Sequence, residues 1–291
     1  MKGIVFAWLC MVNLVCNGQI VLGKTELKEN TVVEFDIPLS ATVRAQFIQL
    51  GQSTVTVARA GIYLPAGFSM NGINHFVLIN STSDGKASSI GSLRSFASSF
   101  QTNNCLGIAA DGPGGKLPGD SAVWRYGLEK TALDYIRAVW PQSRKWPIIC
   151  AGFSGGSKWS PYMAGMLFRD KYTIEGIFMG GCNEDKVSAA KTIYGLGPSF
   201  LTTPLFLSGG DMDPVATPDQ TWAVYDSLKR TGFTRVRYQT HPGGHTLGKG
   251  HFLQALEWFT SGAVATSAPP TRPPAPPFTN DLKVPKTIRV K

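Results

Sequence analysis

A five-residue segment, Gly152-Phe153-Ser154-Gly155-Gly156, constrains this chain more than any other, because of what flanks it. The apolar run Trp146-Pro147-Ile148-Ile149-Cys150-Ala151 before it predicts a short buried strand, and residues 157–169 after it predict a helix. Glycines on both sides of a serine let the chain turn sharply between the two. The hydroxyl then projects from the end of a sheet, and the following helix points its positive end at the same spot.

The rest of the chain supplies a sheet for that turn to sit on. Residues 31–39, 43–50 and 53–64 are rich in β-branched and alternating residues, and predict antiparallel strands at one edge. Strands and helices then alternate. Strands are expected at residues 75–80, 105–110, 173–179, 204–208 and 234–240. Helices are expected at 88–100, 121–139, 186–194, 218–230 and 251–260. On the last helix Phe252, Ala255, Leu256 and Phe259 make one apolar face. Short connections between alternating elements predict an α/β fold, with a mostly parallel sheet covered by helices on both faces.

Both ends of the chain read differently. Lys2, a mostly apolar run from Gly3 to Cys16 and small residues around Gly18 predict an export signal over residues 1–18. That run is shorter than the roughly 20 residues of a membrane span. From Ser267 the chain is proline-rich and then basic, a tail over 267–291 that cannot build a core. The folded domain is therefore expected over 19–266, outside the cell or in the periplasm. The net charge of +9 is concentrated at the ends, since the tail carries +4 and Lys2 another +1. A body charge of +4 with no basic-aromatic cluster gives no sign of nucleic-acid binding. Three cysteines remain in the body, Cys105, Cys150 and Cys182. Their odd number leaves at least one thiol free, and a Cys105–Cys182 bridge is conceivable.

A serine hydroxyl needs a general base, normally histidine, and that histidine needs a carboxylate to fix its tautomer. There are four histidines to choose from. His75 opens a strand upstream of the serine, at the wrong end. His241 closes a strand, and His251 starts the last helix. His245 lies in Pro242-Gly243-Gly244-His245-Thr246, a loop between the last strand and the last helix, which suits the base. A metal pair at His241 and His245 is excluded, because Pro242, Gly243 and Gly244 forbid the helix it requires. No metal or other cofactor is expected. The turn Gly209-Gly210-Asp211-Met212-Asp213-Pro214 follows an earlier strand and offers the acid. Asp213, at its tip, is preferred over Asp211. Residues 111–116 are glycine-rich, but Ala110 and Leu117 stand where a phosphate-binding loop needs glycine and a hydroxyl.

The Gly152-to-Gly156 turn, the Gly210-Asp211-Met212-Asp213 turn and Gly243-Gly244-His245, in that chain order, resemble the α/β-hydrolase superfamily over about residues 55–262. Within it they resemble the small secreted esterases of the dienelactone hydrolase, feruloyl esterase and polyhydroxyalkanoate depolymerase kind. The resemblance implies a triad of Ser154, Asp213 and His245 that cleaves carboxylic esters. It also implies an oxyanion hole formed by the Gly155 N–H and a second donor from Ser81 or Thr82. The chain departs from the pattern here, with Asn80-Ser81-Thr82-Ser83-Asp84-Gly85 where such esterases carry a His-Gly pair.

Asp213 lies only 59 positions after Ser154, too few for an inserted cap domain. An open cleft is therefore expected, suited to a bulky or polymer-attached ester, with Trp124 and Trp159 as candidates to line it. The main rival is an exported binding protein of the same fold without catalysis. A serine peptidase is weaker, since no propeller-sized domain is present.

Overall fold

The computed structural model describes residues 20–72, 74–82, 88–100, 104–113 and 121–262. The expected signal, the proline-rich tail, residues 83–85 and residues 114–117 of the glycine-rich loop lie outside the described residues.

A hairpin of β1 (Ile20–Leu22) and β2 (Thr25–Leu27) leads into the main sheet. Its strands are β3 (Val32–Pro38), β4 (Val57–Tyr63), β5 (His75–Asn80), β6 (Cys105–Asp111), β7 (Ile148–Phe153), β8 (Ile174–Gly180), β9 (Leu205–Gly210) and β10 (Val236–His241). They lie in the order β3-β4-β6-β5-β7-β8-β9-β10. β4 runs antiparallel to both neighbours, and all other pairs are parallel.

Side-chain alternation along the central strands sends apolar groups to both faces. Phe76, Leu78, Ile148 and Cys150 face α1 (Ala41–Gln49), α3 (Ala122–Val139), α4 (Gly155–Arg169), α5 (Lys186–Ile193) and α6 (Pro218–Thr231). Val77, Ile79, Ile149 and Ala151 face α2 (Ser89–Phe96) and α7 (Lys249–Thr260). The apolar face expected on α7 packs as a unit, with Phe252 edge-on to Phe96, Phe100 and Phe178.

Residues 43–50 correct the sequence expectation. They are not a strand but most of α1. Ser40 caps its N-terminus by accepting from Val43 N–H, and Phe47, one turn later, is buried against Trp124 with ring centroids 3.9 Å apart. A side-chain cap and one well-packed aromatic outweigh the weak β preference of Val43 and Ile48. The Cys105–Cys182 bridge does not form, and all three cysteines are buried. Cys105 begins β6 whereas Cys182 follows the end of β8. Parallel strands therefore put them at opposite ends of the sheet, beyond disulfide reach.

Candidate active site

Ser154 sits between β7 and α4 with φ 55° and ψ −123°, a conformation a non-glycine residue holds only under constraint. Three glycines make the turn possible by close approach. A Cβ on Gly152 would lie 2.2 Å from the Gly156 carbonyl, and one on Gly156 would lie 2.1 Å from the Asn80 carbonyl oxygen. A Cβ on Gly155 would lie 2.2 Å from Thr82 Oγ1 and 2.8 Å from Thr82 Cα. The serine turn is thus wedged against the end of β5. The Ser154 N–H donates to the Gly180 carbonyl at 2.8 Å, which ties the turn to β8 as well.

His245 Nε2 lies 2.8 Å from Ser154 Oγ, and its Nδ1 lies 2.7 Å from Asp213 Oδ2. An ionised carboxylate can only accept, so Nδ1 carries the ring proton and Nε2 is left to accept from the serine hydroxyl. Burial alone would raise the Asp213 carboxyl. The hydrogen bonds from His245 and from the Ala216 and Val215 N–H groups outweigh it and hold that carboxyl below its ordinary value. Phe153 packs against the imidazole with ring centroids 4.8 Å apart and limits its rotation.

The loops that carry His245 and Asp213 are bonded to each other. Asp211 N–H donates to the His241 carbonyl, Met212 N–H donates to the Gly243 carbonyl, and Asp211 Oδ1 accepts from Gly243 N–H at 2.9 Å. Asp211, the other aspartate of the turn, therefore braces the histidine loop through Gly243, and the histidine ring itself pairs with Asp213. The remaining histidines lie elsewhere. His75 pairs with Glu175 at the opposite end of the sheet, His251 bonds Ser208 Oγ, and His241 packs on His251.

A pocket of about 460 Å³ opens beside Ser154. It is lined by Thr82, Gly155, Lys158, Trp159, Tyr162 and Lys186, among others. Thr82 borders it and Ser81 does not. Ser81 is buried, and its N–H donates to Ser89 Oγ at 3.4 Å, which turns it toward the start of α2 and away from an oxyanion. Arg125, itself buried, donates to the Ser81 carbonyl at 2.9 Å and to the Thr82 carbonyl at 3.3 Å, holding this loop against the serine turn. Behind it lies Glu129, which burial pushes up to about 8 despite the attraction of Arg125.

The two tryptophans part company. Trp159 lines the pocket, with the Arg125 guanidinium 4.7 Å from its ring centroid. Trp124 does not. It is 1% exposed and packed on Phe47, because the helical period puts it with Leu128 on the buried stripe of α3. Arg125, Lys158, Tyr162 and Lys186 escaped the sequence argument. Lys158 had a visible signal, since it lies one helical turn beyond Ser154, but Arg125 is joined to its loop only by the fold.

With serine, histidine and aspartate converging at the carboxyl ends of parallel strands, comparison with solved structures is decisive for the architecture. The chain has the α/β-hydrolase fold. An α/β serine hydrolase homologue from Coxiella burnetii is 15% identical, with a TM-score of 0.52, covering 82% of this chain and all of that one. A Xanthomonas campestris α/β serine hydrolase without a lid is 12% identical, with a TM-score of 0.55 over 84% of this chain and 99% of that one. A bacterial heroin esterase is 14% identical, with a TM-score of 0.55 over 79% and 84%. No family model and no curated protein sequence matches the chain. The α/β-hydrolase fold here carries only α4, β8, α5, a 3₁₀ turn and β9 between Ser154 and Asp213, so no cap is inserted there.

Proposed function

We propose that this α/β-hydrolase-fold chain is a serine esterase that cleaves carboxylic esters through an acyl-enzyme on Ser154. The observation that carries the proposal is the continuous relay from Ser154 Oγ through His245 to Asp213, at 2.8 and 2.7 Å, with the serine in a constrained turn. Ser154 Oγ attacks the ester carbonyl as its proton passes to His245 Nε2, and Asp213 stabilises the imidazolium. The oxyanion takes hydrogen bonds from the Gly155 N–H, unpaired at the start of α4, and from the Thr82 N–H beside it. Arg125 helps by fixing the Thr82 carbonyl. His245 then protonates the departing alcohol, and water repeats the sequence to release the acid.

Export is part of the same proposal, resting on the apolar segment 3–16 and on the small residues that follow it. The uncapped serine turn favours a bulky or polymer-attached ester over a small enclosed one. Among the described residues no helix is long and apolar enough to cross a membrane.

A fluorophosphonate probe tests the nucleophile. The native chain should be labelled and should hydrolyse p-nitrophenyl acetate, and Ser154→Ala should do neither. A native chain that is folded, unlabelled and inactive would instead be a non-catalytic binding protein with this fold.

A further inference from the structure

The pocket beside Ser154 contains two lysines that helix stability does not explain. Lys158 is in the first turn of α4, and Lys186 begins α5. A cation there faces the positive end of the helix dipole and is disfavoured. Neither first turn holds an acidic residue to offset it. Asp185 caps α5 by accepting from Ser188 N–H, and its other oxygen accepts from Ser227 Oγ, so the carboxylate that meets the lysines is Glu184. Rules broken at a cleft point to what the cleft binds.

Both ammonium groups converge on one carboxylate. Glu184 Oε2 lies 2.6 Å from Lys186 Nζ, and Glu184 Oε1 accepts from Lys158 Nζ. Hydrogen bonds from Lys158 and Lys186 hold the Glu184 carboxyl below its ordinary range. Two cations against one anion leave the pocket with an excess positive charge. Helical side chains lean toward the N-terminus, so Lys158 reaches back toward Ser154. Trp159 and Tyr162 add an aromatic wall to the same pocket, with ring centroids 5.9 Å apart and planes inclined by 47°.

We propose that this pocket selects esters bearing a carboxylate on an aromatic skeleton, the ring packed against Trp159 and Tyr162 and the carboxylate between Lys158 and Lys186. This deepens the esterase proposal and rests on it for the position of the scissile bond. A neutral ester would leave the excess charge unmatched, whereas a carboxylate would share both ammonium donors with Glu184.

Two matched pairs test it. The anion lies on the alcohol side in 4-carboxyphenyl acetate, set against its methyl ester. It lies on the acyl side in mono-4-nitrophenyl phthalate, set against 4-nitrophenyl benzoate. In one pair the anionic-to-neutral ratio of kcat/KM should be about tenfold higher for the native chain than for the Lys158→Gln/Lys186→Gln variant. Dividing by the variant removes differences in intrinsic ester reactivity. The native ratio should also shrink as sodium chloride is raised. If both ratios are the same in native and variant chains while the neutral esters are cleaved, the inference fails and the esterase proposal stands. If no ester is cleaved, titrating folded Ser154→Ala with 4-carboxyphenyl acetate and its methyl ester separates the two. About tenfold tighter binding of the anion, lost with both lysines, supports the carboxylate pocket without the esterase, and equal binding overturns the pocket.

Discussion

The molecule holds two histidine–carboxylate pairs, at opposite ends of one sheet. His245 and Asp213 meet at 2.7 Å, and His75 and Glu175 meet at 2.5 Å. Their burial is reversed. In the first pair the carboxylate is 1% exposed and the imidazole 20%; in the second the imidazole is 7% exposed and the carboxylate 22%. A buried, hydrogen-bonded carboxylate fixes the ring and leaves its far nitrogen facing Ser154 and the pocket. A buried ring with a half-open carboxylate instead ties the start of β5 to the start of β8. The contact itself is therefore no mark of a site. The constrained serine, the glycine-pinned turn and the open space make the difference.

Several substitutions would break or sharpen that contrast, beginning with the largest effect. His245→Ala should lower kcat for p-nitrophenyl acetate by about 10⁴-fold or more, as loss of a triad member does, and a fall under tenfold would refute its role as base. Asp213→Asn should cost about 10³- to 10⁴-fold, because the amide leaves His245 in the wrong tautomer. Glu175→Gln, at the other pair, should stay within about twofold of native. If Asp211→Asn abolished cleavage while Asp213→Asn left it intact, the acid would be misassigned. Gly155→Ala should lower kcat by about 10²-fold with the fold retained by circular dichroism, since the added methyl would displace Thr82 from the proposed oxyanion site.

The smallest effect concerns pH. Because the folded Asp213 carboxyl titrates below its ordinary value, its ionised form stabilises the fold above the unfolded value near 4. That stabilisation is lost as pH falls through the folded value. The Tm gap between native and Asp213→Asn should be a few degrees at pH 6 and close toward pH 2.5. A gap that widens on acidification would contradict the depressed value.

Much of this arrangement was legible in the residues, for local reasons. The alternation from β5 to α7 follows from apolar periodicity, and Ser154, Asp213 and His245 each fall in a loop after a strand whose pattern is plain. The failures came where long-range packing decides. Residues 43–50 look extended by composition, but Phe47 is claimed by Trp124 from a helix about 80 positions away. Trp124 looked free to line a cleft for the same reason. The hairpin at residues 20–27 had a signal, a glycine between two short β-type runs, and in the structure Gly23 takes φ 63° there. The sequence also left Ser81 and Thr82 equivalent as candidate oxyanion donors, and the fold separates them by bonding Ser81 N–H to Ser89 Oγ and placing Thr82 on the pocket.

Taken alone, the chain determined its layered α/β fold and the order serine, aspartate, histidine, because period and turn chemistry act over a few residues. Tertiary structure decided which aromatic rings face the pocket, which of Ser81 and Thr82 borders it, and that Lys158, Lys186 and Glu184 meet beside Ser154. Those outcomes depend on how helices from separate segments close over the sheet, and no local pattern encodes that distance.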